Sequence, residues 1–280
     1  MTGTSPSHAG ASPSYATPPH RPWPMCRRCC AIALDMGSIR TRVWIAGQGV
    51  VADVPTVTSP GTGAGYPVQR GTIVDVPGCA RMLQRLLRDH LPRSTRPTVI
   101  VAAPVLDGVD YRTRARAAVE ALRPRSVLTV PSARAVAVAA GADLSRPLML
   151  VDIGAHLTEV VLLVDGAVTD ARRTALGTSD LGETTTPERI SEAVASMLTA
   201  MLRQDRTSLT VDALHRGVLL AGGGALRPEI TYHLTGRLHT PLRVVPAPHT
   251  AAVRGAARLL RAAHGHPSAS GPLPPSALPR

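Results

Sequence analysis

The 280-residue chain contains no lysine and no phenylalanine. All 31 basic residues are therefore arginine. That removes the P-loop phosphate anchor, Schiff-base chemistry and the kinase strand lysine. With aromatics at 2%, there is little from which to build a base-stacking platform for single-stranded nucleic acid. No apolar run approaches the ~18–20 residues of a transmembrane helix. The start, MTGTSPSHAG, lacks the basic-then-apolar order of a secretory leader, so a cytoplasmic location is expected. Cysteine is sparse: Cys26, Cys29 and Cys30 cluster as CRRCC and Cys79 stands alone. No second Cys or His pair completes a zinc site, and no disulfide framework follows.

What is present suffices for a core. Apolar residues make up 44% of a chain long enough for one large domain or two packed ones. The net charge of +12 raises nucleic acid or anionic membrane as a partner. Yet Arg81, Arg85 and Arg88, like Arg254, Arg258 and Arg261, are scattered on polar faces of amphipathic segments. A composition bias explains the charge better than a built patch, and no specific nucleic acid is expected. Arg21, Trp23, Arg27 and Arg28 could meet lipid, but the two prolines of RPWPMCRR spoil an amphipathic helix. Membrane association is expected to be weak or indirect.

Residues 1–29 and 265–280 are proline-rich without apolar period and read as disordered tails. Between them strands and helices alternate, the mark of an α/β protein. Strands are expected at 31–36, 41–47, 49–58, 98–104 and 126–130. A helix over 78–91 carries the stripe Met82, Leu83, Leu86, Leu87 and Leu91. A second helix, capped by Asp107, runs to Leu122, and a small-residue helix covers 132–141. The second half has strands at 148–154, 158–165 and 167–176. Its helix at 187–203 has Thr186 as N-cap, Pro187 at N1 and Glu188 in the first turn. Ile190, Val194, Met197, Leu198, Met201 and Leu202 form its buried face. A strand in 217–226 runs into a glycine turn, and a last helix spans 250–263.

One device occurs twice. ALDMGSIRTRVWIAGQGVVAD (33–53) and LVDIGAHLTEVVLLVDGAVTD (150–170) each read strand, Asp-x-Gly, turn, strand, glycine turn, strand. Two similar subdomains follow, each presenting a carboxylate and backbone amides at its first turn. Such turns suit a nucleotide. Glycine lets N–H groups reach phosphate oxygens, and Asp35 and Asp152 could hold Mg²⁺ through its water shell. In AGGGAL (221–226), Gly222, Gly223 and Gly224 offer bare backbone to a base or ribose.

This order resembles the actin-like ATPase superfamily, and within it the bacterial MreB family of cell-shape proteins. Asp35, Gly37 and Ser38 resemble the first phosphate motif; Asp152, Gly154, Thr158 and Glu159 resemble the second, and Gly222–Gly224 the adenosine motif. PVQRGTIVD, through Pro67, Gly71, Ile73 and Asp75, and PHTAAVRGAARLL (248–260) are similar to family-specific segments. The likeness covers about residues 31–261. It implies an α/β fold of duplicated actin-like (ribonuclease H-like) subdomains, each a mixed sheet with a β-meander and flanking helices. The first, IA, would be 30–146 with the C-terminal helix 248–264, and the second, IIA, 147–247.

Departures from the family pattern are equally informative. Only PGTGAGY (60–66) stands where subdomain IB belongs, and Leu176 leads almost directly to Pro187 where IIB belongs. Ser132 falls where the family carries its water-positioning glutamate, and serine is no carboxylate base. Ala155 and His156 replace glycines, and Arg40 could reach phosphate as a charged donor. The resemblance thus implies a cytoskeletal protein that binds ATP with Mg²⁺ weakly and hydrolyses it slowly or not at all. Its partners would be itself or a full-length MreB-like paralogue, together with the cell-wall synthesis machinery at the inner face of the membrane. An active actin-fold ATPase or phosphotransferase, and a nucleic-acid-binding protein, are the competing readings.

Overall fold

The computed structural model describes residues 30–59, 65–92, 95–106, 108–183 and 185–265. Residues 1–29 and 266–280, with Cys26 and Cys29, and the cap assigned to Asp107 lie outside them. The first half begins with strands β1 (Ala31–Met36), β2 (Arg40–Ile45) and β3 (Gly49–Pro55). A two-stranded ribbon follows, β4 (Val68–Gln69) and β5 (Thr72–Ile73), then α1 (Val76–Leu87), β6 (Thr98–Ala103), α2 (Gly108–Val119), β7 (Ser126–Pro131) and α3 (Ser132–Ala139). The second half is β8 (Leu148–Ile153), β9 (Thr158–Val164), β10 (Ala167–Thr174), α4 (Pro187–Gln204), α5 (Leu209–His215), β11 (Val218–Ala221), α6 (Pro228–Leu238), β12 (Leu242–Val244) and α7 (Ala251–Gly265).

The two halves share one topology. The first sheet has order β3-β2-β1-β6-β7 and the second β10-β9-β8-β11-β12. In each, an antiparallel meander is extended by two parallel strands on the far side of the first strand. β1 and β8 are the central strands, which is why AIALDM and LMLVDI are buried almost throughout. A strand covered on both faces reads as a continuous apolar run, and these do.

Helices cover the sheets by their apolar faces. α1 buries Cys79, Met82, Leu83 and Leu87, the i, i+3, i+4, i+8 stripe of an amphipathic helix. Its N-terminus lies earlier than the 78–91 pattern suggested, because Asp75 caps it, accepting from the Gly78 amide at 2.8 Å. Such a cap contributes about 1 kcal/mol. α4 buries Ile190, Val194, Leu198 and Met201, whereas Leu202, expected inside, is exposed. Thr186 takes the N-cap position of α4 without a side-chain cap bond.

α3 and α7 lie where the halves meet. Ala133, Val136 and Ala137 of α3 pack with Leu150, Val161 and Leu219 of the second sheet. Ala135 of the same helix packs with Ala31, Trp44 and Ile100 of the first sheet and with Val253 and Ala256 of α7. The C-terminal helix therefore closes back onto the first half. Alanine on both sides lets the backbones approach closely. A Cβ on Gly255 would come within 1.7 Å of the Ala135 carbonyl oxygen, so only glycine fits that crossing.

Candidate functional site

The end of β1 and the end of β8 open into one cleft of about 280 Å³ between the halves. Both Asp-x-Gly turns line it, with Ser132 at the start of α3, Gly222–Gly223 after β11, and His249 before α7. The turns are built alike. Gly37 N–H donates to the Arg40 carbonyl at 3.0 Å, and Gly154 N–H to the Leu157 carbonyl at 2.8 Å. A Cβ on either glycine would meet that same carbonyl at 3.0 Å. The loop after each third strand clasps the turn: Thr56 Oγ1 donates to Gly37 O at 2.7 Å, and Thr178 N to Gly154 O at 3.0 Å.

Hydrogen bonding separates the amides of each turn into two sets. The Gly37 and Gly154 amides are spent inside their own hairpins. The amides of Ser38, Ile39, Ala155 and His156, all cleft residues, donate to no described residue. The glycines thus shape the turn, and the amides of the residues after them are left over.

Register places a side chain opposite each aspartate. Asp35 pairs across with Arg42, and Asp152 with Glu159. Arg42, passed over in the sequence, reaches Asp35 Oδ2 with an Nη at 3.3 Å and is only 14% exposed. Burial pushes the Asp35 carboxyl up, while Arg42 opposes that. Asp152 is pushed up to about 7 by burial, by Glu159 and by Asp35, with Arg42 again opposing. The Asp35 charge is among the causes that raise Asp152, which puts the two carboxyls within electrostatic reach.

Other expected site residues sit differently. Arg40 turns away to Asp53, bonding its carboxylate at 2.6 Å and its carbonyl, so it is held at the cleft rim. Glu159 lines the cleft, but one carboxylate oxygen accepts from the Val105 amide at 2.9 Å, tying β9 to the first half. Thr158 is fully buried and donates to Leu176 O at 2.8 Å; it does not line the cleft. Of the three AGGGAL glycines, two are glycine for packing. Gly222, at φ +81°, would drive a Cβ into Ile153 O at 2.3 Å, and Gly224 into Ile153 Cγ2 at 2.3 Å. At Gly223, by contrast, a Cβ would meet nothing within 4 Å.

The expected water-bridged Mg²⁺ on Asp35 and Asp152 fits these residues poorly. One Asp35 oxygen is already given to Arg42, whose positive charge also acts on Asp152. Ser132 lines the cleft at the head of α3 with no ionisable group of its own.

A family model described as MreB/Mbl protein matches residues 62–187 and 183–266. The chain belongs to the MreB/Mbl family. The cell shape-determining protein MreB of Escherichia coli K12 is 23% identical, the alignment covering 82% of this chain and 92% of that protein. That alignment runs over 321 positions, more than the 280 residues here, so E. coli MreB carries segments with no counterpart in this chain. Among solved structures, MreB5 of Spiroplasma citri bound to ADP superposes with a TM-score of 0.73 at 15% identity, covering 84% of this chain and 97% of that one. The MamK double helical filament gives 0.68 at 13% identity, covering 83% and 99%. These likenesses show an actin-like fold. No helix among the described residues is long and apolar enough to cross a membrane.

Proposed function

We propose that this MreB/Mbl family member is a cytoskeletal, cell-shape protein that binds an adenine nucleotide between its two halves and hydrolyses it weakly or not at all. The paired Asp-x-Gly turns facing one cleft carry the reading. Their leftover amides suit phosphate oxygens, and Gly223 offers bare backbone beside them. Solved relatives of this fold hold ADP or AMPPNP. Slow hydrolysis rests on Ser132, since removing a group that orients a reactant or moves its proton typically costs ~10²–10⁴ in rate.

The chain would act as a pared-down member, IA and IIA without the outer subdomains, in keeping with the segments that E. coli MreB has in excess. It would assemble with itself or with a full-length paralogue at the inner face of the membrane and scaffold cell-wall synthesis. MamK, of the same fold, forms a double helical filament. Calorimetric titration with ATP is the test, on wild type, Asp35→Ala and Asp152→Ala. Binding in the wild type that changes at least ~10-fold in both variants supports the cleft assignment. Unchanged binding in both removes it, and turnover at the rate of an intact MreB removes the weak-hydrolase reading.

A further inference from the structure

The two hairpins match in glycine, carbonyl clasp and register, yet differ in charge at one position. Opposite Asp152 stands Glu159, turned to the Val105 amide; opposite Asp35 stands Arg42, lining the cleft. Arg42 is held more loosely than Arg40. Its contact with Asp35 is long, 3.3 Å, and its Nε lies 3.4 Å from Asp53 Oδ1. That Nε is buried and makes no hydrogen bond. A buried donor left orphaned is costly, and a guanidinium has five donors suited to phosphate oxygens.

Resting on the nucleotide reading above, we propose that Arg42 is the cleft's built-in counter-cation. It binds the phosphates of a nucleoside di- or triphosphate directly, so the nucleotide binds without a divalent metal. The chemistry is complementary. A polyphosphate entering beside Asp35 and Asp152 brings several negative charges of its own and needs positive charge to offset them. Mg²⁺ on a nucleotide keeps several waters and leans on one or two carboxylates beside the phosphates. Arg42 already holds one oxygen of Asp35, and its own charge repels a dication placed there. A guanidinium needs no such shell and meets phosphate in a planar, two-pronged contact.

The test is fluorescence titration of the full chain with a fluorescent ADP analogue, in excess magnesium and in excess EDTA. Dissociation constants within about threefold of each other are expected, less than ~1 kcal/mol. Arg42→Leu should weaken binding about 10- to 100-fold in EDTA, with magnesium restoring part of it, and Arg42→Lys should lie between. Wild-type binding in magnesium but not in EDTA overturns this proposal alone. Equal binding by Arg42→Leu in EDTA does the same. No wild-type binding in either buffer overturns the nucleotide reading and takes this inference with it. The wild-type pair of titrations decides even where Arg42→Leu fails to fold.

Discussion

Asp152 has the clearest consequence at the scale of one residue. Its carboxyl titrates near 7 in the folded chain, against an ordinary value of 3.8. Raised by burial and by the facing Glu159 and Asp35, and opposed by Arg42, it favours the folded state most when protonated. That stability is full below the unfolded value and is lost as pH rises through about 7. Between pH 5 and pH 8 the wild type should lose on the order of 2–3 kcal/mol more than Asp152→Asn. Denaturant melts at both pH values check this; parallel losses in the two proteins would remove Asp152 as the cause. The arginines are instructive at the same scale. Arg85 donates to Thr58 O at 2.8 Å, Arg216 to Pro147 O at 2.8 Å and Arg258 to Val138 O at 2.8 Å. Arg261 lies over Trp44, 4.7 Å from the ring centroid. These arginines thus serve backbone carbonyls and a ring of the chain itself. Cys79 is equally inward: burial, with Asp75 nearby, raises its thiol to about 12, so it behaves as a small apolar core residue.

Among elements, the α3–α7 crossing is the most demanding. Gly255→Ala would set a Cβ 1.7 Å from the Ala135 carbonyl oxygen, and neither backbone can yield without parting the helices. A loss of about 3 kcal/mol or more is expected. Gly236→Ala, exposed in α6 with nothing within 4 Å of its Cβ, should instead gain about 0.5–1 kcal/mol from helix propensity. Thermal melts of the pair check the contrast; similar shifts would mean the crossing is looser than its geometry. The same contrast explains what was legible in the sequence. The meanders, α1 and α4 announce themselves through apolar period, glycine turns and helix-start residues. Seven-residue α5, α6 with only Ile230 and Leu234 buried, and three-residue edge strand β12 carry too little period to read. Arg42 was missed for a different reason. Its neighbours in sequence mark a strand, and only the register of β2 on β1 sets it against Asp35. Gly222 and Gly224 looked ligand-facing because a glycine run does not say whether ligand or Ile153 demands it.

For the whole molecule, the question is what holds the two sheets about their cleft. Besides α3 and α7, the halves touch near the cleft mouth. Arg70, in the turn between β4 and β5, bonds Asp180 at 2.9 Å and the Ala175 carbonyl. Beside it, Gly71 packs against Leu157, where a Cβ would come within 2.8 Å. Val105–Glu159 adds a third tie. The Arg70 side chain is 50% exposed, so its ion pair adds at most about 1 kcal/mol to global stability. Its leverage is local, because it bridges segments attached to different sheets. Arg70→Ala should leave the melting temperature within roughly 2–4 °C of wild type. It should speed amide exchange in residues 66–73 and 175–180, while β1 and β8 stay protected. Hydrogen-exchange mass spectrometry reads both at once. Unchanged exchange at the mouth would assign the closure to α3 and α7, and deprotection of β1 and β8 would make Arg70 part of the global fold.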